Sequence, residues 1–147
     1  MPEDIGTVKL PPLENITVVV KDIDKTTEFL SRVCGIIGPW ETMEYAPTKE
    51  ELMVGEPFKL KFAFAKLGTI VLQLTQPLEG KTLWSEFLKS KGEGLHNLFF
   101  SVPNWEELVG KFNEQGSQIV AGGSLDGKRW CIFDTRPGGI TIELGEG

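Results

Sequence analysis

The chain is short of histidine, tyrosine, sulfur and positive charge. Its 147 residues include one His, one Tyr, two Cys and three Met, and 15 Lys and Arg stand against 21 Asp and Glu. The net charge of -6, with a pI near 4.9, argues against nucleic acid as the main partner, because phosphate binding wants a basic footprint. It leaves room for a local Lys/Arg cluster around a small anionic ligand. No apolar run approaches the roughly 20 residues that cross a bilayer. The opening Met-Pro-Glu-Asp-Ile-Gly is acidic and polar rather than signal-like, so a cytoplasmic protein with no membrane partner is expected. Cys34 and Cys131 stand alone and far apart, which fits two reduced, mostly buried thiols and no thiolate metal site.

What is present is ordinary in composition and unusual in order. A hydrophobic fraction of 40% and a charged fraction of 24% suit a globular protein. The length fits one domain over 1–147, or two small halves sharing one core. The chain also folds onto itself as a repeat. Leu13-Glu14-Asn15-Ile16-Thr17, followed by a charged helix-like segment, matches Leu95-His96-Asn97-Leu98-Phe99, followed by another. Gly68-Thr69-Ile70-Val71-Leu72-Gln73-Leu74 matches Gly138-Gly139-Ile140-Thr141-Ile142-Glu143-Leu144. Repeat one covers about 13–91 and repeat two about 94–145.

Each repeat reads strand-helix-strand-strand-strand. Period-two alternation predicts strands near 14–21, 58–66, 69–75 and 95–102, and one that opens at Gly38-Pro39-Trp40 and runs toward Tyr45. Further strands are expected near 117–122, 128–134 and 139–145. A helix over 25–33, capped by Asp22 or Asp24, is expected to bury Phe29, Leu30 and Val33 and to stop at Gly35. Helices are also predicted over 83–91 and over 104–115, the latter with Asn104 as N-cap and Gly116 as stop. Residues 1–12 read as a loose lead-in and 46–57 as a charged loop or lid. Pro77-Leu78-Glu79-Gly80 reads as a turn, and Gly92-Glu93-Gly94 as the hinge between halves. The fold class expected is α+β: two βαβββ repeats forming curved mixed sheets around a cleft, with helices outside.

Alternation also says which side chains line that cleft. A helix-packed face is apolar, so the more polar parity looks inward. That places Asn15, Gln73, His96 and Glu143 in the cleft. By the same rule Lys59 and Lys61, opposite the row Phe58, Leu60, Phe62 and Phe64, point inward. The four tryptophans read as core or rim packing, with Trp40 and Trp130 as candidates to line a pocket.

The segments VVVKDIDKTTEFL, GPWETMEYAP, LTQPLEGKTLWSEFLKSKGEGLHNLFFSV and DTRPGGITIELGEG resemble the vicinal oxygen chelate superfamily. This is the glyoxalase, bleomycin-resistance and extradiol dioxygenase group, and the nearest likeness is to methylmalonyl-CoA epimerases and lactoylglutathione-lyase-like proteins. The resemblance spans about 13–145. It implies that the ends of four strands present ligands to one divalent metal (Mg, Mn, Co, Ni or Zn). By position these fall on Asn15, Gln73, His96 and Glu143. The family's first histidine is Asn15 here, and a second histidine common just after the third ligand is Asn97. Amide oxygens suit harder ions better than zinc or cobalt, so weak metal binding, or a site that fills only with substrate, is expected.

The resemblance implies an isomerase, epimerase or lyase that moves a proton beside a carbonyl on a small acid or acyl-thioester. Glu143 would carry the proton, and Lys61 points to an anionic substrate or would stabilise the enolate. No carboxylate occupies the stretch from Lys59 to Ala65, where epimerases of the family carry their second acid/base group. The other reading is a metal-free small-molecule binding or sequestering protein of the bleomycin-resistance type. A homodimer is expected from the family's habit.

Overall fold

The computed structural model describes residues 8–135 and 138–147. Residues 1–7 of the expected lead-in, and residues 136 and 137 within the last quoted segment, lie outside the described residues. The elements are β1 (Asn15–Val19), α1 (Ile23–Arg32), β2 (Glu41–Tyr45), β3 (Leu52–Val54), β4 (Lys59–Leu67), β5 (Ile70–Glu79), α2 (Leu83–Lys91), β6 (Gly94–Val102), α3 (Trp105–Glu114), β7 (Ile119–Leu125), β8 (Lys128–Phe133) and β9 (Thr141–Glu146). The strands form one mixed sheet in the order β2-β4-β5-β1-β6-β9-β8-β7-β3.

The sheet is two like halves joined at a seam. In the first half β1 runs parallel to β5, and in the second β6 runs parallel to β9. The remaining pairings are antiparallel, including the β1–β6 seam. α1 and α3 pack on the outer face. Val20, Ile23, Ala63 and Leu74 form the core under α1, and Phe100, Trp105, Leu108, Phe133 and Leu144 form the core under α3. This is the expected α+β architecture.

Chain length forces the sheet to curl. Its two edges are β2 and β3, yet only residues 46–51 separate them. Laid flat, nine strands at about 4.8 Å spacing would hold those edges about 38 Å apart. The connecting chain, from residue 45 to residue 52, spans at most about 25 Å. The edges must therefore approach, and Tyr45 fastens them. Its hydroxyl donates to the Ser124 carbonyl of β7 (2.7 Å) and accepts from Trp130 Nε1 of β8 (2.9 Å).

The expected loop or lid over 46–57 is thus partly a clasp. Lys49–Glu51 forms a 3-10 turn, with the Glu51 carboxylate accepting the Thr48 N–H, and β3 pairs with β7. Clustered charges hid this strand, because its own side chains stay largely exposed. β5 also runs through the expected turn at Pro77 as far as Glu79. In α1 the cap is Asp22, accepting from Lys25 N. Phe29 and Val33 are exposed rather than buried, because the helix seats on Ile23 and Leu30. Cys131 is buried as expected, whereas Cys34 is exposed.

Candidate functional site

The concave face encloses a cavity of about 480 Å3. Aromatic side chains make its walls: Tyr45 from β2, Phe62 and Phe64 from β4, Trp84 from α2, Phe99 from β6 and Trp130 from β8. Polar side chains make its floor: Asn15 and Thr17 from β1, Gln73 from β5 and Glu143 from β9. They converge because β1, β5 and β9 carry them on one parity. Thr17 pairs with Gln73 on one side and with Asn97 on the other, and Phe99 pairs with Glu143. α2 closes one end of the curl, where Trp84 packs near Trp130 and Phe58.

The floor is a hydrogen-bonded set. Asn15 Nδ2 donates to Gln73 Oε1 (3.2 Å), Gln73 Nε2 donates to Thr75 Oγ1 (3.3 Å), and Asn97 Nδ2 donates to Glu143 Oε1 (3.0 Å). Thr17 is 1% exposed and its Oγ1 has no partner among the described residues. Burial pushes the Glu143 carboxyl up to about 8, and the Asn97 donor offsets part of that rise. A carboxyl in that range is largely neutral at pH 7.

Asn15, Gln73 and Glu143 therefore meet in one cavity, but two expected members do not. His96 is the extra residue of a β-bulge: Thr17 pairs with Asn97 and Val18 with Leu95, so His96 has no partner. The bulge re-aims it. Its ring packs edge-on to Phe87 (5.1 Å between centroids) and beside Trp84 (6.0 Å). Its Nδ1 lies 2.8 Å from Asn97 Oδ1. Consecutive strand side chains normally point to opposite faces, and only the bulge lets this pair touch. Since an amide oxygen only accepts, the ring presents Nδ1–H, and burial depresses its basicity. His96 thus stands behind Asn97 rather than among the cavity groups.

Lys61 is the second correction. On β4 it is Leu60, Phe62 and Phe64 that line the cavity, while Lys61 reaches Asp24 of α1 (3.3 Å) and Lys59 reaches Glu44 (3.2 Å). The parity rule fails here for two reasons. The cavity wall is itself apolar, and α1 needs small residues beneath it, which Ala63 supplies. Trp40 packs under α1, its Nε1 donating to Ser31 Oγ, whereas Trp84 lines the cavity beside Trp130. Asn97, which holds Glu143 from behind the floor, was the residue missed. The repeat itself carried the signal, since aligning Leu13-Glu14-Asn15 with Leu95-His96-Asn97 sets Asn97, not His96, opposite Asn15.

These residues do not fit the divalent ion that the resemblance implies. No imidazole joins the cavity groups, and no three His, Cys, Asp or Glu converge among the described residues. Gln73 Oε1 is already engaged by Asn15, which leaves one free amide oxygen and one carboxyl. Zinc, cobalt and nickel favour imidazole or thiolate, and magnesium and manganese favour charged oxygens.

At the rim, Arg129 is spoken for. It donates to Glu146 through Nε (3.0 Å) and a terminal nitrogen (2.8 Å), donates to Glu106 (2.8 Å), and lies 4.5 Å over the Trp105 ring. That guanidinium holds the Glu146 carboxyl down at about 2.

Comparison with known proteins extends the picture. The uncharacterized protein YqjC of Bacillus subtilis (strain 168) is 26% identical over 138 residues, covering 91% of each chain. Among solved structures, a methylmalonyl-CoA epimerase variant of Streptomyces coelicolor in complex with 2-nitronate-propionyl-CoA superposes with a TM-score of 0.73 at 18% identity, covering 95% of this chain and 96% of that one. The methylmalonyl-CoA epimerase of Mycobacterium tuberculosis gives 0.69 at 20% identity, over 95% and 90%. The hypothetical protein BH1468 of Bacillus halodurans C-125 gives 0.70 at 20% identity, over 92% and 94%. These likenesses are of fold. The family model described as Glyoxalase/Bleomycin resistance protein/Dioxygenase superfamily matches residues 14–133. The two paired halves, the seam between them and that match have one meaning: the chain belongs to the glyoxalase/bleomycin resistance protein/dioxygenase superfamily.

Proposed function

We propose that this chain is a small-molecule binding protein that works without a metal. Its ligand has an apolar body against the aromatic walls and a polar end against Asn15, Thr17 and Glu143. One observation carries the reading. At the position where the family resemblance implies the first metal-binding imidazole, the cavity holds Asn15, an amide tied to Gln73, and Glu143 is tied from behind to Asn97. A cavity of this size, largely apolar with a few convergent polar groups, has the usual make-up of a ligand site. Calorimetry with Mn, Co, Ni and Zn should detect no stoichiometric uptake. Apolar amines or alcohols should quench fluorescence from Trp84 and Trp130. Tight metal uptake that is lost in Glu143→Gln would overturn the reading.

A second reading is a metal-independent isomerase in which Glu143 moves a proton beside a carbonyl. The observation favouring it is that Asn97 and His96 orient the carboxyl from behind, as a general acid/base needs. Across the cavity β4 offers Leu60, Phe62 and Phe64, so no second carboxyl faces the first. The same-face proton exchange this allows differs from two-base epimerisation. Deuterium uptake into an acyl-thioester without racemisation, absent in Glu143→Gln, is the expected sign.

A further inference from the structure

We infer that the ligand of this cavity carries a positively charged nitrogen, seated between the Glu143 carboxylate and the aromatic walls. This rests on the binding reading above and names the class of molecule bound.

The first ground is the unbalanced carboxyl. Glu143 has one hydrogen-bond donor, Asn97, and no cation within ion-pair distance among the described residues. With no counter-charge beside it the buried carboxyl stays largely protonated at pH 7, and a cation bound against it would favour the ionised form. The cations nearest the cavity do not serve. Lys61 faces α1, and Arg129 is held outward by Glu146 and Glu106. Only Lys128 stands at the rim without an ion-pair partner among the described residues.

The second ground is independent of charge. Thr17 Oγ1 is buried in the floor with both its donor and its acceptor capacity unused among the described residues. Asn15 gives one of its two amide N–H donors to Gln73, and its carbonyl oxygen accepts no bond among the described residues. Acceptor capacity is thus free at Thr17 Oγ1, Asn15 Oδ1 and Glu143. A primary ammonium brings three N–H donors, whereas a carboxylate or phosphate brings none.

The third ground is the walls. Ring faces carry the negative part of the aromatic quadrupole, and a cation within about 6 Å of a ring centroid is attracted to it. Tyr45, Phe62, Trp84 and Trp130 sit as neighbours around the space, at centroid separations of 6.1 to 6.2 Å from one ring to the next. An anionic group would meet both those faces and Glu143. A neutral carbonyl brings no donor for Asn15 Oδ1 and no charge for the ring faces.

The test is a matched pair of probes, 3-phenylpropylammonium and 3-phenylpropanol, with 3-phenylpropionate as the anionic control, titrated calorimetrically at pH 7. The ammonium should bind at least about tenfold more tightly than the alcohol, as expected for a charge-assisted contact out of water. The anion should not bind. In Glu143→Gln the ratio of ammonium to alcohol affinity should collapse toward one. Equal affinities in the wild type, or tighter binding of the alcohol or the anion, would overturn the inference while leaving the binding reading in place. Failure of all three probes would remove both. The wild-type ratio needs no variant, so the test stands even if Glu143→Gln folds poorly.

Discussion

Asn97 Nδ2 lies 3.0 Å from Glu143 Oε1, and the same amide's Oδ1 lies 2.8 Å from His96 Nδ1. One fully buried amide therefore locks two ionisable side chains, each holding the orientation of the next. The carboxyl is fixed from the side away from the cavity, which leaves its remaining capacity for whatever the cavity holds.

Replacing Asn97 by Leu keeps the volume and removes both bonds. His96 Nδ1–H and the Glu143 carboxyl would then be buried with no partner, at a cost of about 1–3 kcal/mol. His96→Phe should cost less, since its ring still packs against Phe87 and Trp84. Urea unfolding of both variants checks the order. If Asn97→Leu unfolds at the wild-type midpoint, the amide is not holding the pair.

The raised Glu143 carboxyl predicts a stability that falls with pH. An unfolded Glu loses its proton near 4.3, whereas the folded one keeps it up to about 8. Between those values the folded state binds the extra proton, so unfolding grows easier by up to about 1.4 kcal/mol per pH unit. The contribution is fully present below the lower value and gone above the upper. In Glu143→Gln that slope should vanish, and the variant should be more stable than wild type at pH 9. Parallel denaturation curves from pH 5 to 9 decide it, and identical slopes in the two proteins would refute the assignment. A bound ammonium should lower the same carboxyl's pKa and flatten the wild-type slope.

Some of this arrangement is legible in the residues and some is not, for local physical reasons. β1, β5 and β9 each set an apolar row, such as Ile16 and Val18, Leu72 and Leu74, or Ile142 and Leu144, against a mixed row, and in each the mixed row supplies Asn15, Thr17, Gln73 or Glu143 to the cavity. β4 has the sharpest alternation of all, yet its sense is reversed. Rings as large as Phe62 and Phe64 find room in an apolar cavity, whereas the helix above demands alanine. In β6 the bulge breaks the count of two, and no composition signal marks it. β3 was hidden because its pairing is main-chain work by exposed residues, with Lys49, Glu50 and Glu51 just before it.

Gly145 tests how tightly the cavity wall is built. A Cβ there would lie 2.6 Å from the Phe99 ring, on the cavity side of β9. Gly145→Ala should therefore drive Phe99 off its rotamer and into the cavity, costing about 1–3 kcal/mol and weakening ligand binding. Trimming the ring in the double variant Gly145→Ala with Phe99→Leu should recover much of the stability. Thermal melts of the single and double variants check this. Equal destabilisation by the single and double changes would mean that the ring is not the obstacle.

Tyr45 tests the closure of the sheet. Its hydroxyl joins the β2 edge to Ser124 of β7 and Trp130 of β8, and its ring packs against Phe58 and Phe62. Tyr45→Phe keeps the ring and deletes the oxygen. Trp130 Nε1–H is then buried with no acceptor, and the Ser124 carbonyl loses a donor, which together cost about 1–3 kcal/mol. The loss should be local before it is global. β3 hangs on β7 by a short three-residue ladder, so its amides and those of residues 46–51 should exchange with deuterium markedly faster in the variant. Amides of the β1–β6 seam should lose protection only by the amount the global stability falls. Uniform acceleration across the sheet would mean that Tyr45 acts as ordinary core. Selective loosening of β3 and its lead-in would identify it as the bond that keeps the curl shut around the cavity.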